Sequence, residues 1–323
     1  MDFSDFETGI NDQGRRIDKV IRKFLPELSL SNVYSLIRKG LIKVNQKKIN
    51  QNYKIQENDV VNIPLFIIDE QKNSKITEKT STEGEKIQNL PPIVFENEHI
   101  LILNKPYDML VHGGKDSLDV LVKNYYRQTH ADTSLSFTPG PLHRIDRKTT
   151  GLICFSMSIQ GANWFTKNIK NHEIQKKYYG IIQGRLNTEE IWQDFITKND
   201  EDSKNFHTVK ASKTAGENEK SAYAYTKVCP VKYGFFKNQE ITLAVFDIKT
   251  GRTHQIRSQC ALHSHPLLGD IAYGGAKTNG KYSHFLQAFS LSFPQNSLGL
   301  PQLIEIPLNS EISRTFSHDF LTI

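Results

Sequence analysis

The amino-acid sequence predicts an α+β protein with a small N-terminal α+β module and a larger domain. We expect the larger domain to be built on a mixed, largely antiparallel sheet with flanking helices and a cleft. In this part of the chain, strand-like segments outnumber helical ones and do not alternate regularly with them, which favours an antiparallel sheet over repeated βαβ units. A polar, charged stretch at residues 65–90 separates the two parts and predicts a linker.

Residues 14–64 have the pattern of a compact module with two short helices and a small sheet. The apolar residues of the first helix fall on one face, and Pro26 closes it: Ile17, Val20, Ile21, Phe24 and Leu25. A second helix begins at Ser29 or Ser31 and ends at Gly40. LIKVN, a polar QKK turn and IN then predict a hairpin, and YKIQENDVVNIP predicts the last strand.

The positive charge of the chain is concentrated in this module. Residues 14–64 hold eleven Lys and Arg against four Asp and Glu, whereas residues 1–13 hold four acidic residues and no Lys or Arg, which predicts an acidic tail. A clustered basic excess is typical of phosphate-binding surfaces, although a solvated lysine-rich surface has the same composition. The side chains that we expect to lie over RNA phosphates, without reading sequence, are Arg38, Lys39, Lys43, Lys47 and Lys48.

Residues 91–323 form the predicted larger domain. Two strands around a polar ENEH turn come first, the second at Ile100–Leu103. Residues 199–219 are polar and are expected to be a surface excursion, and Thr253 is expected to cap a helix that runs to about His263. Further helices are predicted at Ser117–Arg127 and Gln160–Ile169, and further strands at Leu152–Phe155, Lys177–Ile182, Ser221–Val228, Glu240–Lys249, HFLQAFSLSF and LIEIP.

Several classes of protein are disfavoured by what the chain lacks. No run reaches the roughly 18 apolar residues of a membrane-spanning helix, and the acidic N-terminus, MDFSDFETGIND, is unlike a signal peptide. Three widely spaced cysteines are expected to be reduced thiols in a cytoplasmic protein. The glycine-rich phosphate loop, the GxGxxG fingerprint and the GxSxG elbow are missing, which argues against nucleotide hydrolysis, dinucleotide redox chemistry and serine-esterase chemistry.

The strongest candidate for chemistry is the stretch HRIDRKTTG at residues 143–151. It places one carboxylate, Asp146, beside the cations Arg144, Arg147 and Lys148. Neighbouring positive charge favours the ionised form, and an ionised Asp can act as a nucleophile or a base. A surface charge cluster would contain the same residues, but an apolar strand follows, so Asp146 lies in a loop that leads into a sheet, where catalytic residues concentrate.

Three further groups are candidates for a site. Tyr178 in KKYYGIIQG suits stacking under a base or ordinary strand packing. Arg257 in GRTHQIR needs a carboxylate or phosphate partner, which a structural ion pair would equally provide. Cys260, His263 and His265 have the side chains of a zinc site, but no fourth ligand is spaced nearby, so we predict no metal.

Four stretches, taken together and in this order, resemble the RluA-type family of pseudouridine synthases: NKPYDMLVHGG, HRIDRKTTG, KKYYGIIQG and TGRTHQIRSQCALHSHPLLGDIAYG. The resemblance covers essentially all of residues 91–323. Through RRIDKVIRKFLP, SNVYSLIRKGLIKVN and NDVVNIP, residues 14–64 resemble the αL RNA-binding module first known from a small-subunit ribosomal protein. The closest subgroup is the RluC type, which acts on large-subunit ribosomal RNA. Asp108 and Gly180 stand where the family usually has Gly and Ala.

The resemblance implies an active-site cleft and the isomerisation of a uridine within RNA, without cofactor or metal. The glycosidic C–N bond breaks, the uracil rotates, and a C–C bond forms to the same ribose, after the target has been flipped out of the stack. Asp146 would be the catalytic carboxylate, attacking the sugar or removing a ribose proton, and Arg257 would pair with it. Tyr178 would stack on the uracil and assist proton removal at carbon-5. Arg144 would fill the vacated place in the RNA stack.

The partner that the resemblance implies is large-subunit ribosomal RNA or its precursor, bound by a monomer without membrane contact. Lys105 and His112 are expected to help shape the RNA surface. A synthase that acts on transfer RNA is one alternative. A non-catalytic RNA-binding factor of ribosome assembly that kept the fold is a second, and a metal-dependent hydrolase built on Asp146 is a third.

Overall fold

The computed structural model describes residues 2–69, 90–130, 134–198, 208–215, 221–278 and 283–315. The chain divides into two compact units. The first unit comprises Met1–Leu90, Val120–Gly140 and Met157–Gln160, and the second comprises Pro91–Asp119, Pro141–Ser156 and Gly161–Ile323. Residues 65–69 of the predicted linker are helical, and residues 70–89 lie outside the described part of the chain.

The first unit has an α+β fold with a four-stranded sheet in its described residues, in the order β1-β4-β2-β3. Its elements are β1 (Phe3–Glu7), α1 (Ile17–Phe24), α2 (Leu30–Lys39), β2 (Lys43–Val44), β3 (Lys47–Lys48) and β4 (Val60–Pro64). The apolar residues of both helices and of β4 form one buried cluster. The predicted module of two helices and a small sheet is therefore correct.

Local side chains determine where the elements of this unit begin and end. The Ser29 hydroxyl accepts a hydrogen bond from the backbone N–H of Asn32 at 3.2 Å, so Ser29 is the N-cap of α2. Gly40 ends α2 with a left-handed φ of 72°, as its missing Cβ allows. The hairpin turn is made by Asn45 and Gln46, whose φ angles are 51° and 62°, and not by the predicted QKK. Asn tolerates this backbone region better than most residues.

The predicted acidic tail at residues 1–13 is wrong. Residues 3–7 form β1, which pairs antiparallel with β4, and the Asn62 side chain donates a hydrogen bond to Asp5 at 2.7 Å. The buried carboxylate of Asp12 accepts a hydrogen bond from the Ser134 hydroxyl at 2.8 Å. The acidic side chains that suggested a solvated tail therefore accept hydrogen bonds within the first unit. Asp12 in this way connects the N-terminal segment to the segment around Ser134.

The second unit is built on a large sheet with the order β10-β9-β11-β12-β8-β13-β7-β6-β5, with β14 paired to β13. Its strands are β5 (Ile93–Glu96), β6 (Ile100–Lys105), β7 (Thr150–Ser156), β8 (Gln175–Gln183), β9 (Glu190–Lys198), β10 (Val209–Ser212), β11 (Ala222–Phe236), β12 (Gln239–Ile248), β13 (Leu286–Ser292) and β14 (Leu303–Glu305). Among the described strands, β7 and β13 pair in parallel and the other neighbours pair antiparallel. The predicted mixed, largely antiparallel sheet is confirmed.

The helical elements outside the small module are α3 (Leu118–Thr129), α4 (Ile159–Lys170), α5 (Gln255–Leu262), α6 (Ser310–Thr315) and a 3₁₀ turn at Ile271–Tyr273. The residue before α5 is His254, with a left-handed φ of 50°, so the predicted cap at Thr253 is wrong by one residue. Residues 209–212 form β10, where a surface excursion was predicted. The four residues of this strand, VKAS, are too few for their apolar alternation to stand out from the polar stretch around them. Residues 199–207 and 216–220 of that excursion lie outside the described residues.

Strand β7 leads the Asp146 loop into the centre of the sheet. All seven of its residues are buried. Gly151 has a φ of 107° and lies against the backbone of Ala288 on β13, so a Cβ at this position would clash with the Ala288 carbonyl. Only glycine allows this close parallel approach. Within the described part of the chain, no helix has the length and apolar character that crossing a membrane requires.

Candidate active site

The Asp146 loop, residues 143–149, is anchored at its start by His143, which is partly buried. His143 Nε2 accepts a hydrogen bond from the backbone N–H of Cys154 on β7 at 3.1 Å. Burial lowers the pKa of His143 to about 3, so the ring is neutral at physiological pH. At the other end, the backbone N–H of Thr149 donates to the carbonyl of Asp146 at 3.0 Å. The carboxylate is therefore presented from a tight, internally bonded turn.

Lys105 ties this loop to the loop that follows β6. Its Nζ donates to the backbone carbonyls of Pro106 and Met109, both at 3.0 Å, and of Arg147 at 2.8 Å. Burial lowers the pKa of Lys105 to about 7, against the opposing effect of the Asp146 charge. Three carbonyls match the three N–H groups of an ammonium. The expectation that Lys105 shapes the RNA surface is wrong, because the side chain is fully buried.

Arg257 on α5 joins Asp146 to a second carboxylate that the sequence analysis missed. Its Nε and Nη2 donate to the two oxygens of Asp270 at 2.7 and 2.8 Å, a bidentate geometry. Its Nη1 lies 3.4 Å from Asp146 Oδ2. Burial alone would lower the pKa of Arg257, but the hydrogen bonds and charge of Asp270 raise it. The predicted contact with Asp146 is present, yet Asp270, only 2% exposed, is the closer partner.

Tyr178 on β8 lines the same cavity as Asp146. The cavity has a volume of about 490 Å³, and Arg144, Arg257 and Gln255 also line it. Tyr178 is 6% exposed. Burial first, and then the charge of Asp146, raise the pKa of Tyr178, so its phenol remains protonated at neutral pH. The four residues predicted for this site therefore line the same cavity: the exposed Arg144, Asp146, Tyr178 and Arg257.

Asp146 also lies on the wall of a second cavity, of about 380 Å³, which shares Arg257 with the first. Asp270 and the exposed cations Arg147 and Lys148 line this second space. Cations line both cavities, Arg144 and Arg252 in the first and Arg147 and Lys148 in the second, and cations suit contacts with a sugar-phosphate chain. The Asp146 carboxylate thus lies on the walls of two neighbouring spaces, of which only the first also contains Tyr178.

Two departures from the usual family residues fit their surroundings. Asp108 has a left-handed φ of 64°, a conformation that favours glycine, and its carboxylate pairs with Arg147 Nε at 2.9 Å. A Cβ at Gly180 would lie 2.8 Å from Cε2 of Phe246. The ring of Phe246 therefore occupies the volume that an Ala side chain would take beside the strand of Tyr178.

His254 and Tyr273 also face Asp146, and the sequence analysis gave them no role. His254 Nε2 lies 3.8 Å from Asp146 Oδ2, and His254 Nδ1 lies 2.9 Å from the Tyr273 hydroxyl. Burial lowers the pKa of His254, although the charge of Asp146 acts in the opposite direction. Together with Asp270, both residues lie inside the motif quoted above, TGRTHQIRSQCALHSHPLLGDIAYG, and that motif was the signal that could have identified them.

The basic residues predicted in the first unit lie near one another. Arg38, Lys39, Lys47 and Lys48 are exposed. The Lys48 side chain passes Gly40, at 3.5 Å from the position of a Cβ there, so the end of α2 and strand β3 are neighbours. A fifth cation, Lys43, is partly buried, with its Nζ 4.9 Å from the centre of the Phe3 ring. We refer to these five cations, at the end of α2 and on β2 and β3, as the basic patch.

The three residues considered for zinc have other partners. Cys260 is fully buried, and burial raises the pKa of its thiol. His263 Nε2 lies 3.0 Å from Asp194 Oδ2, and His265 Nδ1 lies 2.9 Å from the carbonyl oxygen of Gln183. Among the described residues, no group of three or more His, Cys, Asp or Glu is placed to hold a metal ion.

Two family models match the chain. Residues 99–262 match the family described as RNA pseudouridylate synthase, and residues 15–61 match the S4 domain. Asp146, Tyr178 and Arg257 lie within the first match. All five cations of the basic patch belong to α2 or to the two strands that follow it, and all five lie within the second match.

Known proteins resemble the chain over nearly its whole length. Ribosomal large subunit pseudouridine synthase C of Buchnera aphidicola (subsp. Schizaphis graminum) is 31% identical, over 91% of this chain and 90% of that protein. The protein of the same name from Pasteurella multocida is 28% identical, over 94% of this chain and 90% of that protein. The structure of human RNA pseudouridylate synthase domain containing 1 has a TM-score of 0.55 at 21% identity, covering 75% of this chain and 94% of that one, which shows a common fold.

Proposed function

The chain belongs to the RNA pseudouridylate synthase family and is an RNA pseudouridine synthase; from this premise we propose that it isomerises specific uridines of large-subunit ribosomal RNA, with Asp146 as the catalytic carboxylate. The resemblance to the RluA-type family, closest to the RluC type and with an αL (S4) module, is confirmed. The observation that carries the proposal is the Asp146 carboxylate, which shares one cavity with Tyr178 and contacts Arg257.

We assign the chemistry at the ribose to Asp146. The carboxylate either bonds to the sugar as the glycosidic C–N bond breaks, or removes a ribose proton to give a glycal. In both cases the detached uracil rotates and its carbon-5 bonds to the same ribose. Carbon-5 then loses its proton, N1 of the uracil gains one, and Asp146 returns to its ionised form. The contact with Arg257 gives the carboxylate a fixed hydrogen-bond partner at the start and end of the cycle.

Tyr178 and Arg144 are assigned to the flipped nucleotide. A buried aromatic ring on the cavity wall supports stacking on the uracil. The raised pKa of Tyr178 means that its phenol is protonated, so we assign it no proton removal at carbon-5, in contrast to the expectation from sequence. Arg144 is exposed at the rim of the same cavity, which supports its assignment to the vacated place in the RNA stack.

The substrate class rests on two supports. The similar proteins from Buchnera aphidicola and Pasteurella multocida are named for the ribosomal large subunit. The S4 domain carries an exposed basic patch, which suits phosphate contacts along a folded RNA. We propose that this patch binds ribosomal RNA and that the second unit modifies it.

The test is to map pseudouridines across ribosomal and transfer RNA in cells with and without the protein. We expect specific positions of large-subunit ribosomal RNA to lose pseudouridine, and to regain it with the wild-type gene but not with Asp146→Asn. Loss confined to transfer RNA would assign the protein to that substrate. No loss in either RNA, with ribosome assembly impaired, would favour the non-catalytic alternative.

We also propose that the enzyme acts as a monomer in the cytoplasm and without a cofactor or metal. The three free thiols of the described residues suit a reducing compartment, and the isomerisation consumes no co-reactant. Purified protein treated with a chelator should keep its activity on ribosomal RNA transcripts, and its sedimentation should fit one chain. Activity that returns only on addition of a divalent cation would contradict the metal-free assignment.

A further inference from the structure

Two donors converge on one oxygen of Asp146. Arg257 Nη1 lies 3.4 Å from Oδ2, and His254 Nε2 lies 3.8 Å from the same atom. Among the described residues, none donates a hydrogen bond to Oδ1. His254 immediately precedes α5 and Arg257 lies in its first turn, so both donors come from the N-terminal end of one helix. The two oxygens of this carboxylate are therefore in different environments.

The hydrogen bonds of Tyr273 determine which nitrogen of His254 carries the proton. The Tyr273 hydroxyl accepts a hydrogen bond from the backbone N–H of Val209 at 2.9 Å and lies 2.9 Å from His254 Nδ1. A phenol has one proton to donate, and Nδ1 is the acceptor beside it. A neutral His254 that accepts at Nδ1 carries its own proton on Nε2. The opposite tautomer would turn an Nε2 lone pair toward the Asp146 carboxylate, which is repulsive.

Burial keeps His254 neutral, since its pKa is lowered. The charged and titratable groups that face it are Asp146, Arg257, Asp270, Arg144, Tyr273 and His284. A neutral N–H donor next to Asp146 adds no further positive charge to that of Arg257. It can therefore orient the carboxylate as a hydrogen-bond donor while leaving the charge around it unchanged.

We propose that His254 is a positioning residue: its Nε2–H, fixed by the Tyr273 hydroxyl, acts with Arg257 to hold Oδ2 of Asp146, so that Oδ1 is the oxygen presented to the ribose. The proposal rests on the catalytic role proposed for Asp146. A distance of 3.8 Å is longer than a hydrogen bond, and such contacts in free enzymes often shorten when substrate binds. We expect this one to close when the nucleotide fills the cavity.

The left-handed backbone of His254 fits this role. Its φ of 50° is uncommon for a residue other than glycine, and such conformations are found where the surroundings hold them in place. Here α5 begins at the next residue, and the Tyr273 hydroxyl holds the ring. The main chain and the tyrosine together leave the imidazole little freedom to turn away from Asp146.

The test compares five variants under single-turnover conditions on a ribosomal RNA transcript. His254→Ala should lower the rate constant about 100-fold, the cost expected when a reacting group is misplaced by about 1 Å, with RNA affinity changed less than about twofold. His254→Gln, whose amide N–H can replace Nε2–H, should recover at least about tenfold of that loss. Tyr273→Phe should lower the rate about tenfold, because the tautomer is no longer fixed.

The matched control is Tyr233→Phe, which removes a hydroxyl that donates to the Leu186 carbonyl at 2.9 Å in the same unit, and it should retain the wild-type rate. Tryptophan fluorescence and circular dichroism confirm that each variant is folded. Equal rates for His254→Ala and wild type would overturn the proposal, as would a loss of RNA affinity at an unchanged rate. Equal losses of rate in His254→Gln and His254→Ala would also overturn it.

Asp146→Asn distinguishes a failure of the proposed function from a failure of this inference. If Asp146→Asn retains activity, the proposed function fails. If Asp146→Asn is inactive and His254→Ala is fully active, only the positioning role of His254 is rejected.

Discussion

The two units of the molecule use charge in opposite ways. In the first unit, the cations proposed to bind RNA are mostly exposed, and Lys47 and Lys48 stand side by side on an edge strand. In the second unit, Arg257 is largely buried and makes two short bonds to Asp270 and a longer one to Asp146. Exposed charge is screened by salt, whereas buried charge is held in a fixed geometry and is costly to leave unpaired.

The two units also differ in their histidines. The first unit contains a single histidine, His130, whereas the partly buried His143 and His254 and the buried His284 all belong to the second unit. Burial lowers the pKa of each of these last three rings. Salt should therefore act mainly through the first unit and acid mainly through the second, so RNA affinity and catalytic competence can be perturbed separately.

The largest expected effect is the loss of the carboxylate from the second unit. Asp146→Asn should lower the rate of pseudouridine formation by at least about 1,000-fold, because the amide can serve neither as nucleophile nor as base, while RNA affinity remains nearly intact. Asp116→Asn, at an exposed position, is the matched control. Single-turnover assays and filter binding measure the two quantities. Residual isomerisation close to the wild-type rate would remove Asp146 from the mechanism.

The next effect concerns the partner of Arg257. Asp270→Asn leaves a buried guanidinium with only the longer contact to Asp146, so we expect the free energy of unfolding to fall by about 3 kcal/mol and the rate by about 100-fold. The double variant Asp270→Asn, Arg257→Gln should lose less stability than the two single variants combined, since no unpaired charge remains. Denaturant titration of all three variants measures this, and simple additivity would contradict a direct pairing.

Acid should destabilise the second unit through His143. The unfolded ring takes up a proton near its usual pKa of 6.5, and the folded ring does so only near 3, so the unfolded state binds more protons between these values. The free energy of unfolding is therefore highest above pH 6.5. It decreases as the pH is lowered below that value, by up to about 1.4 kcal/mol per pH unit for this one group.

His143→Gln keeps a hydrogen-bond acceptor for the backbone N–H of Cys154 but cannot titrate. Between pH 6 and 4, the unfolding of this variant should take up about one proton fewer than that of the wild type, so its stability should decrease less steeply with falling pH. The two tryptophans, Trp164 and Trp192, both lie in the second unit, so their fluorescence reports its unfolding. Above pH 7 the two proteins should give parallel curves. Equal slopes in acid would show that His143 is already protonated in the folded state.

The smallest effect is on the salt dependence of RNA binding by the first unit. The double variant Lys47→Gln, Lys48→Gln should reduce the slope of log affinity against log salt by about 0.7 to 0.9 for each phosphate that the lysines no longer neutralise. The rate at saturating RNA should not change. Lys167→Gln, Lys170→Gln removes the same charge from α4 and should leave the slope as it is. Equal slopes in both double variants would show that the basic patch does not bind phosphates.

Local patterns in the sequence were sufficient for much of the fold. The apolar spacing of α1, the serine cap of α2 and the glycine that ends α2 each depend on contacts within one or two helical turns. The composition of the HRIDRKTTG stretch likewise identified Asp146, because its cations and the strand after it are adjacent in sequence. Where local charge was the only guide it misled, as at residues 1–13, whose acidic side chains bond to partners far along the chain.

The sequence by itself predicted the α+β class, the basic module and Asp146, Tyr178 and Arg257 as candidate site residues, because these follow from short motifs and from their order along the chain. Only the tertiary structure decided how they are connected: that Arg257 bonds more closely to Asp270 than to Asp146, that Lys105 is buried, and that Tyr273 orients His254. Each of these contacts depends on the packing of separate strands, loops and helices, and the pairing of β7 with β13 brings together residues 137 positions apart, Gly151 and Ala288. No local pattern encodes such a distance, so the orientation of the HRIDRKTTG carboxylate was a result of the fold.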